Sequence, residues 1–508
     1  MTTLPTNTRA TRRTWAGLAL LLVPALLVSM DLSVLFVAAP AIARDLDPTG
    51  TQWLWMMDVY GFVLAGLLIT MGALGDRIGR RRLLLCGAVA FGAASALLAL
   101  APTPELFVLG RALLGVGGAT LAPSTFSLIR AMFADPAQRR AAIGLWTVAF
   151  TGGAVVGPII GGVLLEFFPW GSVFLINLPF MALLLAAAPF LLPESREPSR
   201  TAFDLAGAAT SLIAILVLVH AAKRVVAHGP DLTVLVALVV GLLALAAFVT
   251  RQRRALDPLV DLSLFARPAF TASVTGNAVV SFAAAGLGVL TFTYLQVVHG
   301  LSPLMAALYA LPTILGAVAG ATAAGLLAER VRPAVLMGAG LAVGAGGFTI
   351  VGLSDGVVAF LAGYVVVTLG VGMVGTLANT LVMATAPPER AGSAAGVSET
   401  STELGAALGI ATLGTIATSV YQAGMGGVPG ADGAAGETVA GAAEVAGALP
   451  DDEAGALLGA AFDAFSSGVT AAALTGAAVM AAVTLLTLVA LRRLPAGTEA
   501  TGHDAART

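Results

Sequence analysis

The sequence predicts an all-α integral membrane protein with 14 transmembrane helices in a six, two, six arrangement. Three observations carry this. Of 508 residues, 58% are hydrophobic and only 11% charged, against about 25% charged in soluble domains. The apolar residues gather into runs of the roughly 20 residues that a helix needs to cross a bilayer. The positive charges concentrate on one side of those runs.

In chain order the runs lie at 16–38, 53–74, 82–101, 105–128, 141–165, 171–192, 203–222, 231–250, 269–296, 304–328, 333–353, 357–385, 391–420 and 465–491. The first has the outline of a secretory signal, with Arg12 and Arg13 before it and Ala41-Ile42-Ala43 after it. It is too long for one, contains Asp31 and is followed by 13 further spans, so it is expected to stay as a span. Polar connections at 193–204 and 251–268 flank the seventh and eighth runs. They set apart an N-terminal six-helix bundle (16–192), an inserted pair with its linkers (193–268) and a C-terminal six-helix bundle (269–491). Tails occupy 1–15 and 492–508, and the inserted pair is expected to stand outside the core formed by the two six-helix bundles. With the N-terminus in the cytoplasm, 22 of the 26 Lys and Arg residues fall in inner segments. Arg44, Lys223 and Arg224 fall outside, and Arg111 falls within a span. Positive-inside insertion therefore places both termini on the cytoplasmic side of the plasma (inner) membrane.

The long outer connection, 421–464, carries Asp432, Glu437, Glu444, Asp451, Asp452, Glu453 and Asp463 and no Lys or Arg. The stretches GETVAGAAEVAGAL and DEAGALLGAAFDAF repeat apolar residues at helical spacing, with Pro450 between them. Two short amphipathic helices forming a hairpin are expected there.

Other chemistries find little support. The one lysine, Lys223, follows Ala222, so no Walker A loop exists to bind ATP. His220, His228, His299 and His503 are scattered without metal-ligand spacing. No nucleophile elbow appears, a single Cys86 excludes an internal disulfide, and a net charge of -2 gives no reason for a nucleic-acid partner. No enzyme, metal or cofactor is expected.

Charges within the spans are the candidates for function, because a carboxylate at mid-bilayer costs about 2.5–3.5 kcal/mol on insertion scales. Asp31, Asp58 and Arg111 each lie about five to seven residues below the outer end of a span, and so at similar depth at about 1.5 Å per residue. They form either a salt-bridged packing cluster or a proton and cation site. In the thirteenth span Glu399 and Glu403, four residues apart, share one helix face, and two carboxylates there cannot both be charged cheaply. Trp53, Trp55, Tyr60, Phe150, Phe292, Tyr294 and Tyr309 could either pack and anchor or line a cavity for flat cations.

Two motifs remain. Residues 144–162, GLWTVAFTGGAVVGPIIGG, place Gly144, Gly153, Gly157, Gly161 and Gly162 where a neighbouring helix could approach closely, with Pro158 bending the segment. The loop after span two, GALGDRIGRRR, offers Gly72, Asp76, Arg77, Gly79, Arg80 and Arg81. Its acid suits a helix N-terminus and its guanidinium forks suit carboxylates, which makes a releasable cytoplasmic gate.

Both motifs resemble those of the major facilitator superfamily, the first being similar to the fifth-helix motif of its proton-coupled exporters. MDLSVLFVAAPAIARDL, QWLWMMDVYGFVLAGLLITMGALGDRIGRRR, RALLGVGGATLAPSTFSLIR and WGSVFLINLPF extend the resemblance to the fourteen-helix drug:proton antiporters, most closely those exporting quaternary ammonium compounds, dyes and biguanides. It implies that Asp31, Asp58 and Glu399 match that group's embedded acids, and Arg111 its helix-four arginine. Some of these pumps carry a further acid in helix ten; Ala317 stands about there, so export of dications is not implied. The expected function is proton-coupled export of lipophilic, mainly cationic drugs by a monomer that uses the proton gradient and no cofactor. A dedicated exporter of one self-made product and a non-transporting sensor are the alternatives.

Overall fold

The computed structural model describes residues 10–196, 204–255, 262–328, 330–385 and 391–491. The tails at 1–9 and 492–508, parts of both linkers and the Asp76 side chain lie outside them. The described residues fold into helices without a strand: α1 (Arg12–Leu46), α2 (Gly50–Ile78), α3 (Arg80–Ala99), α4 (Pro104–Met132), α5 (Pro136–Phe167), α6 (Ser172–Leu175), α7 (Asn177–Leu191), α8 (Leu205–His228) and α9 (Leu232–Arg254). After a 3-10 turn come α10 (Pro268–Thr293), α11 (Pro303–Ala310), α12 (Pro312–Leu327), α13 (Pro333–Gly352), α14 (Val357–Thr385), α15 (Ala391–Met425), α16 (Ala434–Glu437), α17 (Val439–Ala446) and α18 (Asp451–Leu491).

Their starts follow ordinary capping chemistry. Thr49 and Gln52 form a reciprocal capping box on α2, Thr103 caps α4 with Pro104 in its first turn, and Asp135 caps α5 ahead of Pro136. Proline also divides elements, since Pro312 separates α11 from α12 and leaves one bent span where the sequence shows a single run. Among the described residues twelve helices are long and apolar enough to cross a membrane. The expected second and seventh spans correspond to α2 and α8, which fall outside that set of twelve.

α1 packs on α5, α4 on α2 and α3, and α3 on α7; likewise α10 on α14 and α15, α14 on α12 and α13, and α18 on α13 and α15. These two groups meet where α2 touches α15, α1 touches α10 and α5 touches α11. The meeting points cluster at one end of the molecule, here the hairpin end, opposite the termini end. There Gln296 Nε2 donates to the Val37 carbonyl at 2.8 Å, and the Gly50 amide donates to Glu437 Oε2 at 2.9 Å.

One expectation changes. The hairpin's first stretch is helical, broken at Thr438 into α16 and α17, but its second is the start of the 41-residue α18. No proline occurs between Asp452 and Leu491, so the helix runs straight into the last span. The inserted pair is docked on the two halves: α8 packs on both α2 and α15 while α9 packs on α8. Asp204 caps α8 and pairs with Arg251 of α9, and Arg224 pairs with Asp231 at 2.8 Å, fastening the pair at both ends.

Candidate functional site

Asp31 of α1 and Arg111 of α4 form a buried ion pair. Arg111 Nη1 donates to Asp31 Oδ2 at 2.6 Å, and the side chains are 0% and 1% exposed. Asp31 Oδ1 is buried and has no hydrogen-bond partner among the described residues. The rest of the guanidinium is met from α2: Nε donates to the Met56 carbonyl at 3.4 Å and Nη2 to that of Met57 at 3.5 Å, while Tyr60 lays its ring 4.6 Å below. Tyr60 in turn donates its hydroxyl to the Val28 carbonyl at 3.3 Å. Asp58, the residue after Met57, is as buried as Asp31. The structure thus pairs Asp31 with Arg111 and puts Asp58 at the same level of α2, next to the Met57 carbonyl that Arg111 contacts. Removing one partner of such a pair strands a charge at a cost of about 3–5 kcal/mol. A second charge entering the site, whether proton or cation, acts directly on the pair.

Glu399 and Glu403 are partly buried on α15. The Glu403–Ala407 turn packs on Gly61, where an added Cβ would stand 3.0 Å from the Ala407 Cβ. The glutamates therefore belong to the helix that faces Asp58's helix across the seam. Beside Glu399 lies a polar triangle: Asn277 Nδ2 donates to Ser398 Oγ at 2.8 Å and to Asn379 Oδ1 at 3.2 Å. Single asparagines on α10 and α14 gave no signal in the sequence.

The aromatic candidates divide. Tyr60 belongs to the charged layer. Trp55 stacks on His220 of α8, with centroids 6.2 Å apart, and Phe150 stacks on Trp146 at 5.3 Å. Phe292 and Tyr294 are packed into the core, Tyr294 against Phe360 at 4.7 Å. Tyr309 is 43% exposed. A small cavity of about 60 Å³ lies between the two groups under the hairpin, lined by Trp53, Met57, Ile410, Tyr421 and Phe465 and bounded by Val439 of α17.

The glycine motif resolves into separate jobs. Gly153, Gly157 and Gly161 lie along α1, where a Cβ would collide with Leu26, Ser33 and Val34 respectively. Pro158 sits within α5 among them. Gly162 meets α11, with Leu304 Cα 2.8 Å from its would-be Cβ. Gly144 has nothing within 4 Å, so close approach is not its role here.

At the termini end the basic loop clasps the chain that leaves α7. Gly79 takes φ 110°, which suits glycine, and any side chain there would meet Glu194 at 2.5 Å. Glu194 Oε1 accepts the Arg81 amide at 3.1 Å, and Oε2 lies 3.8 Å from Arg81 Nε and 3.9 Å from Arg82 Nε. Arg81 also reaches the Leu192 carbonyl at 3.0 Å, and the Arg80 amide donates to the Ser195 carbonyl at 3.0 Å. A Cβ on Gly72 would stand 3.8 Å from Pro123 of α4, and Arg77 lies in the last turn of α2. Glu194 escaped the sequence reading, although an acid just after the sixth span is a natural partner for three consecutive arginines.

A model of the Major Facilitator Superfamily matches residues 21–410. The chain belongs to that superfamily. It is 43% identical to the multidrug efflux pump LfrA of Mycolicibacterium smegmatis, over 96% of this chain and 98% of that protein. It is 33% identical to the methyl viologen resistance protein SmvA of Salmonella typhimurium, over 89% and 93%. These relatives place the chain among the superfamily's drug efflux transporters, and it is a transporter rather than an enzyme. Among solved structures it is similar in fold to a bacterial homologue of the lysosomal transporter Spinster, with TM-score 0.64, 19% identity and coverage of 96% and 99%. A POT family transporter matches with TM-score 0.65 at 16% identity, covering 94% and 96%.

Proposed function

We propose that this multidrug exporter is a proton-coupled antiporter whose substrates are lipophilic, mainly monovalent cations. The observation that carries the reading is the buried Asp31–Arg111 pair with one carboxylate oxygen left without a hydrogen bond. A proton from outside binds this layer, a cation displaces it, and the exchange biases which end of the molecule is open. Moving one charge against 100 mV involves about 2.3 kcal/mol, so one monovalent cation exchanged for one proton is electroneutral and driven by ΔpH. Cations are favoured by the embedded acids Asp31, Asp58, Glu399 and Glu403, and flat ones by Trp55 and Phe150.

In this reading α2 and α8 also cross, making 14 spans, and the molecule works as a monomer without a cofactor. Arginine placement puts both termini in the cytoplasm and the hairpin outside. The contacts between the two six-helix halves at the hairpin end then describe a state closed to the outside. The Arg81–Glu194 clasp is the cytoplasmic gate. Efflux of a panel of monovalent and divalent cations from proteoliposomes, with and without an imposed ΔpH, tests the proposal. Efflux that ignores ΔpH for every cation refutes it.

A further inference from the structure

α2 and α15 run antiparallel along the seam between the two halves, and their glycines fix how they are paired. A Cβ on Gly50 would stand 3.1 Å from Thr418, one on Gly414 3.0 Å from Leu54, and one on Gly61 3.0 Å from Ala407. These three pairs keep step along both helices. Positions 54, 58 and 61 share one helical face, so the same pairing sets Asp58 opposite Ile410 and Glu403 at the level of Ala65. Asp58 and Glu403 thus follow one another along the seam, about 10 Å apart at 1.5 Å per residue. Beside them Val219 of α8 packs with Phe62 and Ala407 in one buried cluster, which walls the seam on that side.

From Asp58 toward the hairpin, the seam opens into a polar cavity of about 240 Å³. Thr49 and Thr51 are exposed at its rim, Ser419, Gln422 and the Glu437 carboxylate line it, and Thr415, 2% exposed, lies at its floor. Thr415 Oγ1 donates to the Ala411 carbonyl, so its oxygen remains an acceptor. This cavity has the room and the polar partners to hold a chain of waters. Leu54 stands between the cavity and Asp58. It is 6% exposed, lines the cavity floor against Gly414 and lies one turn before Asp58 on α2.

We infer that this polar cavity is the mouth through which protons from outside reach Asp58, and that the Leu54 side chain on Gly414 is its plug. The inference rests on the antiport reading and on the orientation given above, and adds the route by which the proton arrives. A proton passes from hydronium outside along hydrogen-bonded water to an Asp58 carboxylate oxygen when the leucine rotates aside. Only O–H bonds are made and broken. With the leucine at rest, its apolar side chain interrupts the water chain, so the acid is not in constant exchange with the outer solution. Thr415 holds the inner end of that chain.

The test is the transient current of drug-free proteoliposomes of the full chain, reconstituted with the hairpin side outward on a solid-supported membrane, after a rapid drop in outer pH. Its decay time reads how fast protons arrive, and its total charge reads how many acids accept them. Leu54→Ala should shorten the decay about fivefold and Thr415→Val should lengthen it about fivefold. Total charge should stay unchanged in both. Thr475→Val removes a hydroxyl with the same kind of backbone bond on α18, where Thr475 Oγ1 donates to the Ala471 carbonyl at 2.8 Å, and should match wild type. An unchanged decay in either mouth variant at unchanged total charge overturns the proposal, as does a shift of both in one direction. If one variant loses total charge through misfolding, the other decides. Wild type without any transient would refute the antiport reading itself, whereas a wild-type transient with unmoved decay times in the variants sinks only the mouth.

Discussion

Gly162 of α5 lies directly on Leu304 of α11, with 2.8 Å between its would-be Cβ and the Leu304 Cα and 3.1 Å to the Pro303 carbonyl oxygen. These are backbone atoms, which cannot swing aside as the end of a side chain could. One methyl at this position must push the two halves apart at the hairpin end.

Gly162→Ala should therefore disfavour the state seen here. Overpacking costs about 1–3 kcal/mol, and about 1.4 kcal/mol is a tenfold change in the balance between states. Labelling of single cysteines in the cavity beneath the hairpin should rise and turnover should fall about tenfold. Gly144→Ala, facing open space, should match wild type. Equal behaviour of the two variants would remove the closing role of this contact.

The clasp at Glu194 makes a different prediction. Exposed ion pairs contribute about 0–1 kcal/mol, so Glu194→Gln should hardly change thermal stability or membrane insertion. Transport should nevertheless slow several-fold if the loop must grip and release during each cycle. Wild-type turnover in Glu194→Gln would reduce the clasp to a packing detail.

Glu437 holds the hairpin to both halves, accepting from the Gly50 amide at the start of α2 and from Gln422 Nε2, each at 2.9 Å. Hydrogen bonds to a charged group contribute about 1.5–3 kcal/mol. Hydrogen exchange across α16 and α17 should accelerate at least about tenfold in Glu437→Ala. Unchanged protection would mean that Tyr421, whose hydroxyl donates to the Ala435 carbonyl at 2.6 Å, holds the hairpin alone.

Glu399 and Glu403 separate two readings of the acidic face on α15. Glu399 adjoins the Asn277–Asn379–Ser398 triangle, whereas Glu403 begins the turn packed on Gly61. At matched expression, Glu399→Gln should impair drug efflux and substrate-induced proton release more than Glu403→Gln does. The reverse order would assign the coupling role to Glu403.

Much of this was legible in the residues. Apolar run lengths placed most helix ends to within a few residues, because the bilayer sets length, but α1 continues to Leu46 and α18 starts already at Asp451. The shared depth of Asp31, Asp58 and Arg111 followed from counting turns, and the ion pair agrees. What stayed hidden depends on neighbours that no local pattern specifies. Gly144 and Gly162 look alike in sequence, yet one faces open space and the other a backbone. Tyr309 and Phe292 looked equally able to line a cavity, yet Phe292 is buried and Tyr309 is exposed. The docking of α8 on both α2 and α15 could not be read from an apolar run, since lipid and protein neighbours ask for the same residues.

The central claim is that the Asp31 layer exchanges protons for cations. Its most direct test is drug efflux from proteoliposomes as a function of imposed ΔpH, comparing wild type with Asp31→Asn and Asp58→Asn at equal reconstitution. Efflux should rise with inward proton drive in wild type and be insensitive to it in both variants, which remain inserted and still bind drug. Wild-type ΔpH dependence in both variants would contradict the account and leave the Asp31–Arg111 pair a matter of packing.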